Sequence, residues 1–253
     1  MILMLSGTSD GRQIGEILAT EGHQLIMTAV SDYGGDRLPN HENIQTRIGH
    51  LNKEAMIELI KENNIELLLD ATHPYAVEAS VNAIEAADTS EIPYLRYERP
   101  DMESHVEDDI IYLPSYEAAA LWLKDHAGKV FLTIGSRRLK PFVETVELSR
   151  LSARVLPTTE VIQLCDDLGL KPNQIIAMQG PFSEALNTAM FETHQPKYLV
   201  TKASSKIGGF EEKVVAASKA GMTTLVIERP QIDYPNCFSD IMEAVGTISH
   251  LLR

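Results

Sequence analysis

The sequence predicts an α/β fold of two Rossmann-like, flavodoxin-like domains with parallel sheets and a ligand cleft between them. Three observations lead there. Strand-length apolar runs alternate with amphipathic stretches almost from end to end, the pattern of parallel strands joined by crossover helices. Loops rich in glycine and hydroxyl residues directly follow several of those runs in both halves, where open α/β sheets bind their ligands. At 253 residues the chain is long enough to bury two small cores.

In the first half, strands are expected at Ile2–Leu5, Gln24–Ala29, Ile44–Arg47, Leu67–Ala71, Tyr94–Tyr97 and Ile110–Leu113. The intervening stretches near 11–21, 52–63 and 76–88 repeat their apolar residues at helical spacing. In the second half, strands are expected at Val130–Ile134, Arg154–Leu156, Ile175–Met178, Tyr198–Thr201 and Thr224–Ile227. Helices are expected there near 116–126, 159–168, 183–193, 210–220 and 237–252. The acidic stretch Asp101–Asp109 and Leu113-Pro114-Ser115 interrupt the alternation. The domains are therefore drawn as 1–114 and 115–253, with the last helix free to pack across the boundary. An internal duplication stays open, since the strand counts agree but no residue-level repeat is visible.

A formal net charge of −14 argues against nucleic acid or an anionic membrane as partner, because both require a basic face. An anionic small molecule must then be held by local arginines and lysines. Cys165 and Cys237 stand without C-x-x-C or Cys/His ligand spacing, so neither a zinc site nor a disulfide is expected. The N-terminus begins on the strand-like Ile2-Leu3-Met4-Leu5, and no run nears the ~18–20 apolar residues of a membrane span. A cytoplasmic, soluble protein is expected; oligomeric state is not readable.

The candidate site residues lie in the loops. Gly7-Thr8-Ser9-Asp10-Gly11 follows the first strand and opens a helix. Gly7 would permit a tight turn, Gly11 close approach of a phosphate, and Gly15 close helix–sheet packing. It is not the G-x-G-x-x-G fingerprint, and an ordinary βα turn capped by Ser9 or Asp10 is the alternative. Ser31-Asp32-Tyr33-Gly34-Gly35-Asp36-Arg37 ends the second strand, where an acid favours a free ribose 2′-OH and an arginine favours a 2′-phosphate. Asp32 and Arg37 point opposite ways, and either can be a solvated surface charge.

Asp70-Ala71-Thr72-His73-Pro74-Tyr75 ends a run that is apolar on both faces. His73 could hold a proton at the sheet edge and Tyr75 could stack on a flat ring, or both could be structural. Gly135-Ser136-Arg137-Arg138 sets two guanidinium forks at a loop, suited to carboxylates or phosphates, or else makes a solvated basic turn. Thr201-Lys202, with Ser204, Ser205, Lys206, Gly208 and Gly209, reads as an anion-binding loop or as a mobile connector. Gln179-Gly180-Pro181-Phe182 reads as a turn bordering the same cleft.

Together these strings resemble the precorrin-6A reductase family of corrin-ring biosynthesis, across nearly the whole chain. The likeness rests on Gly7-Thr8-Ser9-Asp10, Asp70-Ala71-Thr72-His73-Pro74-Tyr75-Ala76, and Tyr94-Leu95-Arg96-Tyr97-Glu98-Arg99-Pro100. It continues through Gly180-Pro181-Phe182, Thr201-Lys202, Gly208-Gly209, Glu212-Lys213 and Glu228-Arg229-Pro230. The resemblance implies reduction of a ring C=C bond of precorrin-6A, or its cobalt complex, by NADPH or NADH. It implies that Gly7, Thr8, Ser9, Asp10 and Gly11 meet the cofactor, with Ser31 and Arg37 at its adenosine end. His73 and Tyr75 would sit at the nicotinamide–substrate junction. Arg96, Arg99, Arg137, Arg138, Lys202 and Lys206 would meet substrate carboxylates or cofactor phosphate. A tetrapyrrole transferase or cyclase without nicotinamide, and a non-catalytic two-domain small-molecule-binding protein, are the alternatives.

Overall fold

Apolar pentads become buried parallel strands because every second side chain serves one face of a sheet and the rest serve the other. The computed structural model describes residues 1–98, 109–203 and 209–252. The chain divides into two units, Met1–Pro100 with Pro230–Arg253, and Asp101–Arg229.

The first unit runs β1 (Ile2–Ser6), α1 (Ser9–Thr20), β2 (Leu25–Ala29), α2 (Asp32–Gly35), β3 (Ile44–Ile48), α3 (Lys53–Glu62), β4 (Leu67–Ala71), α4 (Val77–Thr89) and β5 (Tyr94–Tyr97). The second unit runs β6 (Ile110–Leu113), α5 (Tyr116–Lys124), β7 (Val130–Leu132), α6 (Lys140–Thr145), β8 (Leu151–Val155), α7 (Thr159–Asp167), β9 (Ile175–Ala177), α8 (Glu184–His194), β10 (Tyr198–Lys202), α9 (Phe210–Lys219) and β11 (Thr223–Ile227). The chain then returns to the first unit as β12 (Cys237–Phe238) and α10 (Ile241–Leu251).

The first sheet has the order β12-β5-β4-β1-β2-β3, and the second β6-β11-β10-β7-β8-β9. Every pairing among the described residues is parallel. Both sheets share one order over five strands, and each adds its sixth at the same edge, from the end of the unit's chain in the first and from its start in the second. The winding reverses between β1 and β4 in the first sheet, and between β7 and β10 in the second. In open parallel sheets such a reversal parts the loops at the strands' carboxyl ends and leaves a crevice for a ligand.

The alternation along β1 shows how the first core is built. Ile2 and Met4 pack with Ile14 and Leu18 of α1 and Val245 and Ile248 of α10. Leu3 and Leu5 face the other way, onto Met56, Leu59 and Ile60 of α3 and Ala83, Ala86 and Ala87 of α4. Glycine brings α1 close to the sheet: a Cβ on Gly15 would lie 2.6 Å from Met27 Sδ, and one on Gly11 would lie 3.0 Å from Ala71 Cβ. In the second unit, Phe131 and Leu199 pack against Met190 and Phe191 of α8 and Ala216 and Ala217 of α9.

The division of the chain differs from the expected 1–114 and 115–253. Strand β6 pairs with β11 and so belongs to the second sheet. Strand β12 pairs with β5, and α10 packs on α1, which puts both in the first unit. Cys237-Phe238, expected to open the last helix, instead adds an edge strand, held by Arg96 N–H donating to Asn236 O at 2.7 Å and Glu98 N–H to Phe238 O at 2.9 Å. The short helices α2 and α6 were also not expected. Among the described residues no helix is long and apolar enough to cross a membrane.

Candidate functional site

The reversal point of the first sheet brings the loops after β1 and β4 together. Thr8 caps α1: its Oγ1 accepts from Gly11 N–H at 3.0 Å and donates to Ala71 O at 3.2 Å. Gly7 stands against the other loop, where an added Cβ would lie 3.1 Å from His73 N and 3.2 Å from Thr72 Cα. Glycine is needed there for closeness of two backbones rather than for a left-handed turn. Gly11 is buried against Ala71, so its missing side chain makes room for β4. Asp10 is also buried; its carboxylate accepts from Tyr97 Oη at 3.2 Å and Ser9 Oγ at 3.3 Å, tying the first turn of α1 to β5.

Beneath the β4 loop lies a polar network centred on the fully buried Asp70 and Arg96. Asp70 Oδ1 accepts from Thr72 N–H at 3.0 Å, Thr72 Oγ1 at 2.7 Å and Arg96 Nη1 at 2.8 Å. Asp70 Oδ2 accepts from Ser80 Oγ at 2.6 Å and Tyr94 Oη at 2.9 Å. Burial, then the Asp70 charge, pushes the Tyr94 phenol far above its ordinary range, so it stays a donor. Arg96 has no exposed surface, and its Nε and Nη2 donate to Glu98 Oε2 at 3.1 and 2.8 Å. Burial alone would weaken its proton affinity, but Asp70, Tyr234 and Glu98 outweigh it and the pKa rises. Arg96 thus holds β4 and β5 from within; its guanidinium, a candidate for a substrate carboxylate by sequence, is engaged instead by Asp70, Thr72 and Glu98.

On top of this base sits His73, half buried. Its Nδ1 accepts from Tyr75 N–H at 3.3 Å, which leaves the neutral ring's proton on Nε2. The Tyr75 ring lies 5.5 Å away, tilted 43°, and is itself largely buried. At the end of β2, Ser31 caps α2 by accepting from Gly34 N–H at 3.3 Å. Arg37 Nη1 donates to Tyr33 Oη at 3.0 Å and the guanidinium lies 5.6 Å over the Tyr33 ring. Arg12 of α1 lies near enough to feel them: burial, then the Arg37 charge, lowers its pKa against the opposing charges of Asp10 and Tyr33. Arg12 escaped the sequence analysis because a single basic residue in a helix reads as a solvated face.

The reversal point of the second sheet carries cations. Gly135, at φ 84°, turns the chain after β7 into one helical turn, Ser136–Arg138. Arg137 and Arg138 are exposed, with Arg138 5.4 Å over the Tyr116 ring. Lys202 ends β10, and burial, then the Arg138 charge, lowers its pKa. The expected candidates Arg99 and Lys206, with Ser204, Ser205 and Gly208, lie outside the described residues.

Residues 1–249 match the family model described as precorrin-6x reductase CbiJ/CobK. The chain belongs to this family. It is 38% identical over 256 residues to the cobalt-precorrin-6A reductase of Priestia megaterium, covering all of both chains. It is 40% identical over 252 residues to that of Methanocaldococcus jannaschii, covering 99% of this chain and 98% of the relative. A solved CobK precorrin-6A reductase shares the fold, with a TM-score of 0.80 at 22% identity, covering 99% of this chain and 96% of that one. Within this precorrin-6x reductase fold, Gly7, Thr8, His73 and Thr72 meet at one reversal point, and Arg138 and Lys202 at the other.

Proposed function

We propose that this member of the precorrin-6x reductase family reduces cobalt-precorrin-6A to the 6B form with NADPH. Membership over residues 1–249 carries the proposal. The chain is an oxidoreductase of cobalamin biosynthesis; cobalt in the substrate is inferred from the names of the relatives above. NADPH over NADH rests on Arg12, Arg37 and Tyr33. Neither arginine forms an ion pair with a carboxylate among the described residues, although the Asp10 charge bears on Arg12, and two guanidiniums close enough to bear on one another suit a 2′-phosphate.

The Gly7–Ser9 loop is the proposed seat of the cofactor, since it lies at the reversal point of the sheet, where Gly7 lets it pass close to Thr72 and His73. Bound NADPH supplies a hydride to one carbon of a ring C=C bond. In this reading His73 holds a proton on Nε2 at the junction with the substrate, and Tyr75 sets the His73 ring. Arg137, Arg138 and Lys202, at the reversal point of the second sheet, hold substrate carboxylates.

Titration with NADPH and NADH tests the cofactor. NADPH is expected to bind more tightly, and Arg12→Met with Arg37→Met to weaken NADPH about tenfold or more while leaving NADH nearly unchanged. Equal loss for both nucleotides would remove the arginines from specificity. No binding of either, with a tetrapyrrole present to allow ordered binding, would favour the transferase or binding-protein alternatives.

A further inference from the structure

The second unit buries two cations that the proposed reaction has not yet used. Arg154 of β8 and Lys213 of α9 are each 7% exposed. Lys213 Nζ has one neutral neighbour, donating to Thr201 Oγ1 at 3.4 Å. Arg154 Nη1 donates to the neutral Asn187 Oδ1 at 2.6 Å, and its guanidinium lies 3.7 Å over the Phe182 ring. Neither forms a salt bridge among the described residues. That is costly: a buried charge is ordinarily paired, and an unpaired one is a standing destabilisation.

The surroundings sharpen the point. Burial, then Arg154 and Lys202, pushes Lys213 down to about 7 against a small opposing effect of Glu212. Burial pushes Arg154 down to about 10. Arg138 bears on Lys202 in turn. Four cations from β8, the β7 loop, β10 and α9 are thus coupled through one region, with Glu212 the carboxylate that bears on Lys213. Glu212 does not neutralise it by contact, and its own Oε2 is buried without a hydrogen bond. In a protein of net charge −14, no carboxylate pairs with either cation by contact among the described residues.

We propose that Arg154 and Lys213 form a buried carboxylate-binding site at the carboxyl ends of β8 and β10, which takes an acidic side arm of the tetrapyrrole substrate. This rests on the reductase reading and deepens it. A carboxylate arriving there would receive charge-assisted hydrogen bonds from both cations and relieve their repulsion. The site is hidden from sequence inspection because Lys213 sits in a helix and Arg154 in a strand, outside any loop.

Lys213→Met and Arg154→Gln test it, with Lys213→Arg as the charge-keeping control. Each neutral variant is expected to raise KM for cobalt-precorrin-6A at least tenfold, with a smaller change in kcat and unchanged NADPH affinity. Binding of the polycarboxylated tetrapyrrole uroporphyrin, followed by fluorescence, should weaken in the same two variants and be retained in Lys213→Arg. Lys213→Met should also raise the Tm of the free protein near pH 7, because an unpaired charge leaves the interior. The sign with pH follows. The unfolded lysine keeps its proton up to its ordinary 10.5 while the folded one loses it near 7, so wild-type stability rises across that window. Lys213→Met should flatten that rise. Unchanged KM and unchanged uroporphyrin binding in both variants would overturn the inference, as would failure of the wild-type protein to bind uroporphyrin. A falling Tm with unchanged KM would make Lys213 structural. Absence of NADPH-dependent turnover with intact, Lys213-dependent uroporphyrin binding would instead remove the reductase reading and keep the anion site.

Discussion

His73 and Arg96 show how burial sorts residues that look alike in sequence. Both lie in strings that carry the family resemblance, and both are candidates for the site by sequence. Arg96 is enclosed, with Asp70, Thr72 and Glu98 accepting its hydrogen bonds. His73 stands half exposed on the loop above, its Nδ1 taken by a backbone amide. Replacing His73 with Asn keeps a polar group but removes the titrating proton. His73→Asn is expected to lower kcat about 10²-fold or more with little change in NADPH affinity, measured by steady-state rates and nucleotide titration. An unchanged rate would leave solvent as the proton source. The loops after β1, β4, β7 and β10 were legible because glycine, proline and hydroxyl residues punctuate the ends of apolar runs. The buried partners were not. Arg12, Arg154 and Lys213 look solvated in sequence, and only tertiary packing reveals that Arg12 is partly buried near Arg37 and that Arg154 and Lys213 are enclosed in the second unit.

At the level of elements, α1 is positioned by absent side chains. A Cβ on Gly11 would meet Ala71 Cβ at 3.0 Å, Ala71 O at 3.2 Å and Thr8 Oγ1 at 3.2 Å. Two of these belong to β4, which is hydrogen-bonded within the sheet and has nowhere to go. A Cβ on Gly15 would meet Met27 Sδ and Cε at 2.6 Å, the far end of a flexible side chain. Alanine gains roughly 0.8–1 kcal/mol of helix propensity at either position. Gly11→Ala should lose more than that, about 1–3 kcal/mol of overpacking strain, and loosen the Thr8 cap as well. Gly15→Ala should lie nearer neutral as Met27 moves aside. Urea denaturation orders the two, and a more stable Gly11→Ala would refute the packing account. The strands themselves were legible since each is a short apolar run. The exceptions have a physical cause: β12 is two residues long, and its extended backbone depends on hydrogen bonds to β5 more than 130 residues earlier in the chain. The start of β8 was missed because Leu151-Ser152-Ala153-Arg154 carries its hydrophobicity unevenly.

Across the whole molecule, each sheet takes its sixth strand from a segment that local order would assign elsewhere. The first unit is therefore incomplete until the chain returns to it at residue 230. The returning segment contributes β12, the Tyr234 ring lying 4.9 Å from the Arg96 guanidinium, and the buried face of α10. Val245 and Ile248 are 2% and 0% exposed, and burying two such side chains contributes about 3–6 kcal/mol. That is comparable with the total stability of a domain, roughly 5–15 kcal/mol. Deleting residues 230–253 would also uncover α1 and one face of the first sheet, leaving Ile14 and Leu18 facing water. A chain ending at residue 229 is thus expected to keep amide protection in β7, β8, β10 and β11 and to lose it in β1, β4 and β5. Hydrogen exchange read strand by strand checks this directly. Joining residues 1–98 to 230–253 through a flexible linker should restore protection to the first sheet without the second unit. Retained protection of β1 and β4 in the truncated chain would show that the first unit holds itself together without its returning segment.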